Sequence, residues 1–301
     1  MSLGFEIIDT HQHLWDLNQL NLPWMLLERN PNSPDLNRSF LMPDYMAATR
    51  DVSVSNSVYM EVNVSPEDQV KEANIVLEQC QKTDNPMARA VIGGYPHDPR
   101  FAKYVSEFAE NPLVVGVRTV LHDPDRPQGL CLSEQFTQGC CLLGTLDLSF
   151  DLCMRPDELM DGVRLAERCP ETHFILDHCG NMPLGNPSPH LWNAWMTGMK
   201  SLAQCDNVDC KISGIIVTAS SNWTSQDLAE VINICLDLFG ENRVCFGGDW
   251  PICTLRTSYY EWVVALRHII SDRTTQFQDK IFSKNARRIY KLSTPTTVID
   301  S

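Results

Sequence analysis

The 301-residue sequence predicts a single (β/α)8 barrel, and three observations predict it. Short apolar, β-branched segments alternate with segments of helical periodicity, which implies a parallel sheet. The alternation recurs eight times, and eight such units in a chain of this length imply a closed barrel more than an open sheet. No Gly-x-Gly-x-x-Gly follows any strand, which counts against a dinucleotide-binding fold. Neither an internal repeat nor a low-complexity linker divides the chain, so residues 1–301 read as one domain.

The first strand carries Ile7-Ile8-Asp9-Thr10-His11-Gln12-His13-Leu14-Trp15. Residues two apart in an extended chain point to the same face, so His11 and His13 project side by side from a strand end. Two such imidazoles form half of a metal site. Residues 16–45 are punctuated by Pro23, Pro31, Pro34 and Pro43 and read as a long irregular loop near the barrel mouth. Residues 54–64 alternate as a second strand, and Ser65-Pro66-Glu67-Asp68 opens a helix carrying Val70, Ala73, Leu77 and Cys80 on its apolar face. Strands follow at 88–94, 113–122, 148–154, 173–178, 208–216 and 243–248, with helices between them. Thr224 or Ser225 caps the helix after the seventh strand, and one final helix is expected from about Thr275 to Leu292.

In barrel enzymes the active site lies at the C-terminal strand ends. The polar residues there are His11 and His13, Glu61, His97, Arg118 and His122, Asp151 and Arg155, Asp177 and His178, Lys211 and Ser213, and Asp249 beside Trp250. His178 and Asp249 are the sharpest candidates. The first follows an apolar run and precedes a turn; the second lies between Gly247-Gly248 and Trp250-Pro251, where a ligand could approach closely. Arg118 lies in an otherwise apolar strand and needs an anionic partner, from the protein or the substrate; a substrate-facing role is expected.

The formal net charge of −14 argues against nucleic acid or an anionic membrane as partner. The partner expected is a small-molecule substrate, and an oligomer stays open. No segment approaches the length of a membrane span and no signal-peptide pattern opens the chain, so a cytoplasmic protein is expected. The twelve cysteines form no Cys-x-x-Cys and mostly lie among apolar residues, as reduced structural thiols would.

The fragments IDTHQHLW, ILDHCG, CKISG, FGGDWP and KNARRIYKL, in that order along nearly the whole chain, resemble the amidohydrolase superfamily. The likeness is to amidohydrolase family 2, the branch with sugar-lactone hydrolases, a pyrone dicarboxylate lactonase and some decarboxylases. The resemblance implies a hydrolase that opens a small lactone with an activated water. It implies one divalent ion, with zinc expected, held by His11, His13, His178 and Asp249; a metal-free site is the alternative. Binuclear members carry a bridging lysine or glutamate on strand four and a histidine on strand five. Arg118 and Asp151 stand there instead, so a two-metal site is not expected. Asp249 and His178 are the implied catalytic groups, with Arg118, Trp15 and Trp250 against the substrate. A decarboxylase of the same family and a catalytically silent binding protein are the rival readings.

Overall fold

The computed structural model describes residues 5–26 and 33–293. Eight strands follow one another around one sheet: β1 (Ile7–Gln12), β2 (Val54–Met60), β3 (Met87–Gly93), β4 (Val114–Val120), β5 (Ser149–Cys153), β6 (Phe174–Leu176), β7 (Val208–Ile212) and β8 (Val244–Phe246). Every neighbouring pair is parallel. β1 meets the far end of the sheet through hydrogen bonds. The Asp249 N–H donates to the His11 carbonyl at 2.8 Å, the His13 N–H to the Trp250 carbonyl at 2.8 Å, and the Thr10 hydroxyl to the Phe246 carbonyl at 2.7 Å. That seam brings the two ends of the predicted site together.

The helices are α1 (Ser33–Leu36), α2 (Met42–Thr49), α3 (Gln69–Cys80), α4 (Phe101–Ala109), α5 (Glu134–Thr145), α6 (Leu159–Arg168), α7 (Pro189–Leu202), α8 (Ser225–Phe239), α9 (Tyr259–Ile269), α10 (Thr275–Asp279) and α11 (Asn285–Ile289). Thr224 caps α8: Asp227 Oδ2 accepts its backbone N–H at 2.7 Å and its hydroxyl at 2.9 Å.

Three expectations about elements need correction. Residues 16–45 are not irregular throughout, since α1 and the start of α2 lie within them. Trp15 and Phe40 exchange backbone hydrogen bonds, and Leu20, Leu22, Met25, Leu36 and Phe40 are buried beneath this segment. Residues 27–32 lie outside the described residues. The buried face of α3 is Glu72, Ala73, Val76 and Leu77, while Val70 is 50% exposed. The cause is polar: Glu72 accepts the Val62 N–H at 2.7 Å and the Tyr59 hydroxyl at 2.9 Å, and two buried donors outweigh one valine. The last helix is broken by a π-turn at Lys280–Lys284. There Ile281 and Phe282 are buried, and just beyond it the Asn285 side chain donates to the Val244 and Glu241 carbonyls.

Inside the barrel Ile8, Val58, Met60, Val91, Val115, Ile175 and Cys245 form an apolar floor, plugged by Ala286, Ile289 and Tyr290 of the C-terminal segment. Each isoleucine, valine or methionine among them contributes about 1.5–3 kcal/mol on burial.

Candidate active site

The histidine pair owes its position to Asp9. This buried carboxylate accepts the N–H groups of His11 and Gly248, at 3.0 and 2.7 Å, and the hydroxyls of Tyr45 and Tyr259, at 2.9 and 3.1 Å. It ties β1 to the segment after β8. The Gly247-Gly248 pair serves the same junction. A Cβ on Gly248 would lie 2.3 Å from the Tyr259 ring, and one on Gly247 2.7 Å from His11 Cβ. These glycines admit protein neighbours, where the sequence suggested close approach by a ligand.

His13 Nδ1 lies 2.8 Å from the Met60 carbonyl, to which only a protonated nitrogen can donate. Its Nε2 is thereby left facing Asp249 Oδ1 at 3.3 Å. His11 Nε2 lies 3.6 Å from the same oxygen. His178 Nδ1 is 2.9 Å from the Ser213 hydroxyl, and its ring centroid is 4.6 Å from that of His11. Gly214 makes room for it: a Cβ there would lie 2.3 Å from His178 Nδ1, and its φ of +58° suits glycine. His178 and Asp249 themselves have φ of 54° and 53°. Left-handed backbone at two non-glycine residues costs energy that the surrounding contacts must hold, and such strain gathers at functional sites.

Beneath these groups lies a buried charge network. Lys211 donates to Asp151 at 2.6 Å and Asp177 at 2.8 Å, and stands 3.3 Å from His11 Nδ1. Arg118 donates from Nε to the Glu61 carboxylate and from Nη2 to the Glu61 carbonyl, both at 2.7 Å. Its Nη1 stands 3.2 Å from His11 Nε2 and 3.5 Å from Asp177. A neutral imidazole has one acceptor nitrogen, so Lys211 and Arg118 cannot both donate to His11 at once. Burial, and then Lys211, hold His11 well below the usual imidazole range, and burial lowers His178 as well. Burial pushes Asp177 up, but Lys211 and His11 overcome it and hold the carboxyl well below its usual value. Burial raises Asp151 to about 6 despite Lys211.

The sequence candidates thus divide. His13, Arg118, His178 and Asp249 line a cavity of about 570 Å³, with Trp15 and Trp24 on one side and Asn63, His122, Asp123, Asn181 and Thr218 among its polar walls. His11 lies just below. Trp250 is 2% exposed and packs edge-on against Phe40 and Tyr45, at ring distances of 5.5 and 5.4 Å, instead of lining the cavity. Arg118 faces protein carboxylates, the other of the two partners open to it. His97 stacks on Phe136, Arg155 pairs with Glu158, and Asp151 lies in the layer below. His122 Nδ1 meets the Cys153 thiol at 3.2 Å, and burial lowers this histidine to about 4. Sequence reasoning gave no role to Asp9, Tyr259 or Tyr290; an acid beside two isoleucines was the one visible signal for Asp9.

A divalent ion fits this chemistry. The ligand atoms of His11, His13 and Asp249 all lie within 4.8 Å of one another. The carboxylates of Glu61, Asp151, Asp177 and Asp249 are buried around Arg118 and Lys211, and such oxygens with imidazole nitrogens suit a divalent ion.

The amidohydrolase family model matches residues 8–292. The chain belongs to the amidohydrolase family. An L-fucono-1,5-lactonase from Burkholderia multivorans is 26% identical to it, over 97% of this chain and 98% of the relative. An amidohydrolase structure from Burkholderia multivorans with bound zinc superposes with a TM-score of 0.83 at 23% identity, covering 95% of this chain and 99% of that one. A 5-carboxyvanillate decarboxylase from Novosphingobium aromaticivorans, complexed with manganese, superposes with a TM-score of 0.69 at 15% identity, covering 96% and 97%. The amidohydrolase barrel and the hydrolase assignment expected from the sequence agree with these findings. All twelve cysteines are free thiols, and no described helix is long and apolar enough to cross a membrane.

Proposed function

We propose that this amidohydrolase opens a small lactone by attack of a water activated at Asp249. The observation that carries the reading is the convergence of His13, His178 and Asp249 on one cavity, directly above His11. The whole-length likeness to a lactonase supports it.

Asp249 Oδ1 is placed to take a proton from a water in the cavity as that water's oxygen bonds to the lactone carbonyl carbon. His178 is the N–H group placed to steady the oxyanion that results, while His13, its Nδ1–H held by the Met60 carbonyl, turns an acceptor Nε2 towards the site. When the ring C–O bond breaks, Asp249 returns the proton to the leaving oxygen, and a hydroxy acid departs. Met60 and Ser213 fix the two imidazoles from behind, so the rings need not reorganise. His11, His13 and Asp249, with His178 beside them, are the residues that would hold one divalent ion, for which zinc suits the ligand set. Bound there, the ion would supply Lewis-acid polarisation and a more acidic water. Trp15 and Trp24 offer apolar surface to the substrate ring.

A pH-indicator assay over a panel of sugar lactones, with metal analysis of the purified protein, tests the reading. Proton release with about one equivalent of metal is expected. Release of carbon dioxide from aromatic acids, with no lactone opened, would replace it with the decarboxylase reading.

A further inference from the structure

We infer that His122 is a substrate-binding residue: the Cys153 thiol behind it sets its tautomer, so that Nε2–H is presented to an acceptor oxygen of the substrate. The inference deepens the hydrolase reading above and rests on it for what the substrate is.

Position comes first. Val120 of β4 lies beside Cys153 of β5, and the Cys153 carbonyl accepts the N–H groups of Leu121 and His122 at 2.8 and 3.2 Å. This holds His122 just past the strand end, where its side chain is exposed to the cavity. Its Nδ1 lies 3.2 Å from Sγ of the buried Cys153. The Asn181 side-chain amide meets the same sulfur as a donor. If Nδ1–H also donated to that sulfur, the thiol hydrogen would be buried without an acceptor. The thiol therefore donates to Nδ1, and the ring proton sits on Nε2. Enclosure by the cavity walls, and then His178 and Arg118, outweigh Asp123 and keep the ring neutral. A divalent ion on His11, His13 and Asp249 would add positive charge and oppose its protonation further.

That N–H matters because most side-chain donors of the cavity are already committed. Trp15 and Trp24 give their indole N–H groups to the carbonyls of Arg38 and Val62, each at 2.7 Å. The Thr218 hydroxyl goes to the Ile215 carbonyl, the Asn181 amide to the Met154 carbonyl, and His13 Nδ1–H to the Met60 carbonyl. The Arg118 guanidinium is shared among Glu61, His11 and Asp177. Among the described lining residues this leaves His178, one N–H of Asn63, whose other goes to Asp123, and His122. A lactone presents acceptor oxygens, and His122 is the donor that reaches them from the β4 side.

Ring-nitrogen NMR of labelled histidine tests the tautomer without substrate, with the His122 signals assigned by their absence from His122→Leu. A proton on Nε2 is expected, and the Nδ1–H tautomer overturns the inference. Kinetics test the role. His122→Leu should raise KM for the opened lactone by about 10-fold, with kcat changed much less. His122→Gln, which still offers an N–H, should recover part of that loss. Cys153→Ala should release the tautomer and raise KM in the wild-type background, but add little to His122→Leu; Cys153→Ser, which keeps a donor, should recover most of the alanine loss. An unchanged KM in folded His122→Leu overturns the inference, as does a Cys153→Ala effect that persists in full without His122. If no lactone is opened at all, the hydrolase reading fails by itself. The tautomer measurement, repeated with an inert lactam as probe, then decides the donor. A shift of the Nε2–H signal on lactam binding supports it, and an unmoved signal overturns it.

Discussion

At the floor of the barrel, polar groups are paired with one another over an apolar plug. Tyr290 donates its hydroxyl to Asp151 at 3.0 Å, and Arg288 and His173 both hold Asp209. Around them lies that plug. At the mouth the same residue types are left in tension. Two imidazoles crowd one carboxylate oxygen of Asp249, negative charge exceeds positive, and His178 and Asp249 are held left-handed. The floor is arranged for stability. The mouth keeps strain and unbalanced charge, as a site that must bind and transform something does.

Arg118 joins the two layers, and its replacement should have the largest effect. Arg118→Met removes the partner of Glu61 and leaves a carboxylate buried at 3% exposure. Breaking a buried pair costs about 3–5 kcal/mol. Chemical denaturation should show that loss at pH 7. A stable variant whose only defect is a raised KM would restore the substrate-gripping role expected from the sequence.

Asp249→Asn separates mouth from floor. Removing the basic oxygen should lower kcat for lactone opening by about 10²-fold or more, with KM little changed. The melting temperature should hold, because the substitution keeps shape and relieves charge excess. Near wild-type kcat would remove Asp249 from the chemistry.

Gly214→Ala sharpens the contrast more gently. The added Cβ must displace His178, and a φ of +58° strains any alanine there. A loss of about 1–3 kcal/mol is expected from the backbone and the clash together. Activity should fall further than unfolding of the variant explains, since the imidazole loses its seat. An alanine variant with wild-type kcat would show that the position of His178 does not matter.

The sequence displayed the mouth better than the layer beneath it, for a physical reason. His11, His13, His178 and Asp249 stand out because polar residues at the ends of apolar strands break a local pattern, and the resemblance of whole motifs put them in order. The eight strands were legible by the same alternation. Asp9, Lys211, Asp151 and Tyr290 act through partners as far as 250 residues away in the chain, as Asp9 does with Tyr259, and no local pattern encodes such a pairing. Trp250 packs away from the cavity, and in sequence a tryptophan beside a strand-end carboxylate looks the same whether it faces ligand or core. The turn of α3 was misread for a related reason: periodicity counts valines, and here a glutamate is buried to satisfy Val62 and Tyr59.

That glutamate gives the smallest effect and a clear sign. Glu72 lies behind the barrel wall at 2% exposure, and its Oε2 has no hydrogen-bond partner among the described residues. Burial, and then the charge of nearby Glu61, raise its carboxyl from 4.5 to about 8. In the folded protein it therefore stays protonated well above the pH at which it ionises in the unfolded chain. Between those two values the folded state binds the extra proton, so this group's contribution to stability falls as pH rises from about 4.5 towards about 8. Below that window it contributes no pH dependence. Glu72→Gln keeps the acceptor for the Val62 N–H and the Tyr59 hydroxyl and cannot ionise. The melting temperature of the variant, relative to wild type, should accordingly rise as pH is raised from 5 to 9. Most of that gain should come before about pH 8. A difference that stays constant across this range would mean that Glu72 is ionised in the fold at neutral pH, with Oε2 satisfied by water or an ion. The wall behind β2 would then be wetter than its burial implies.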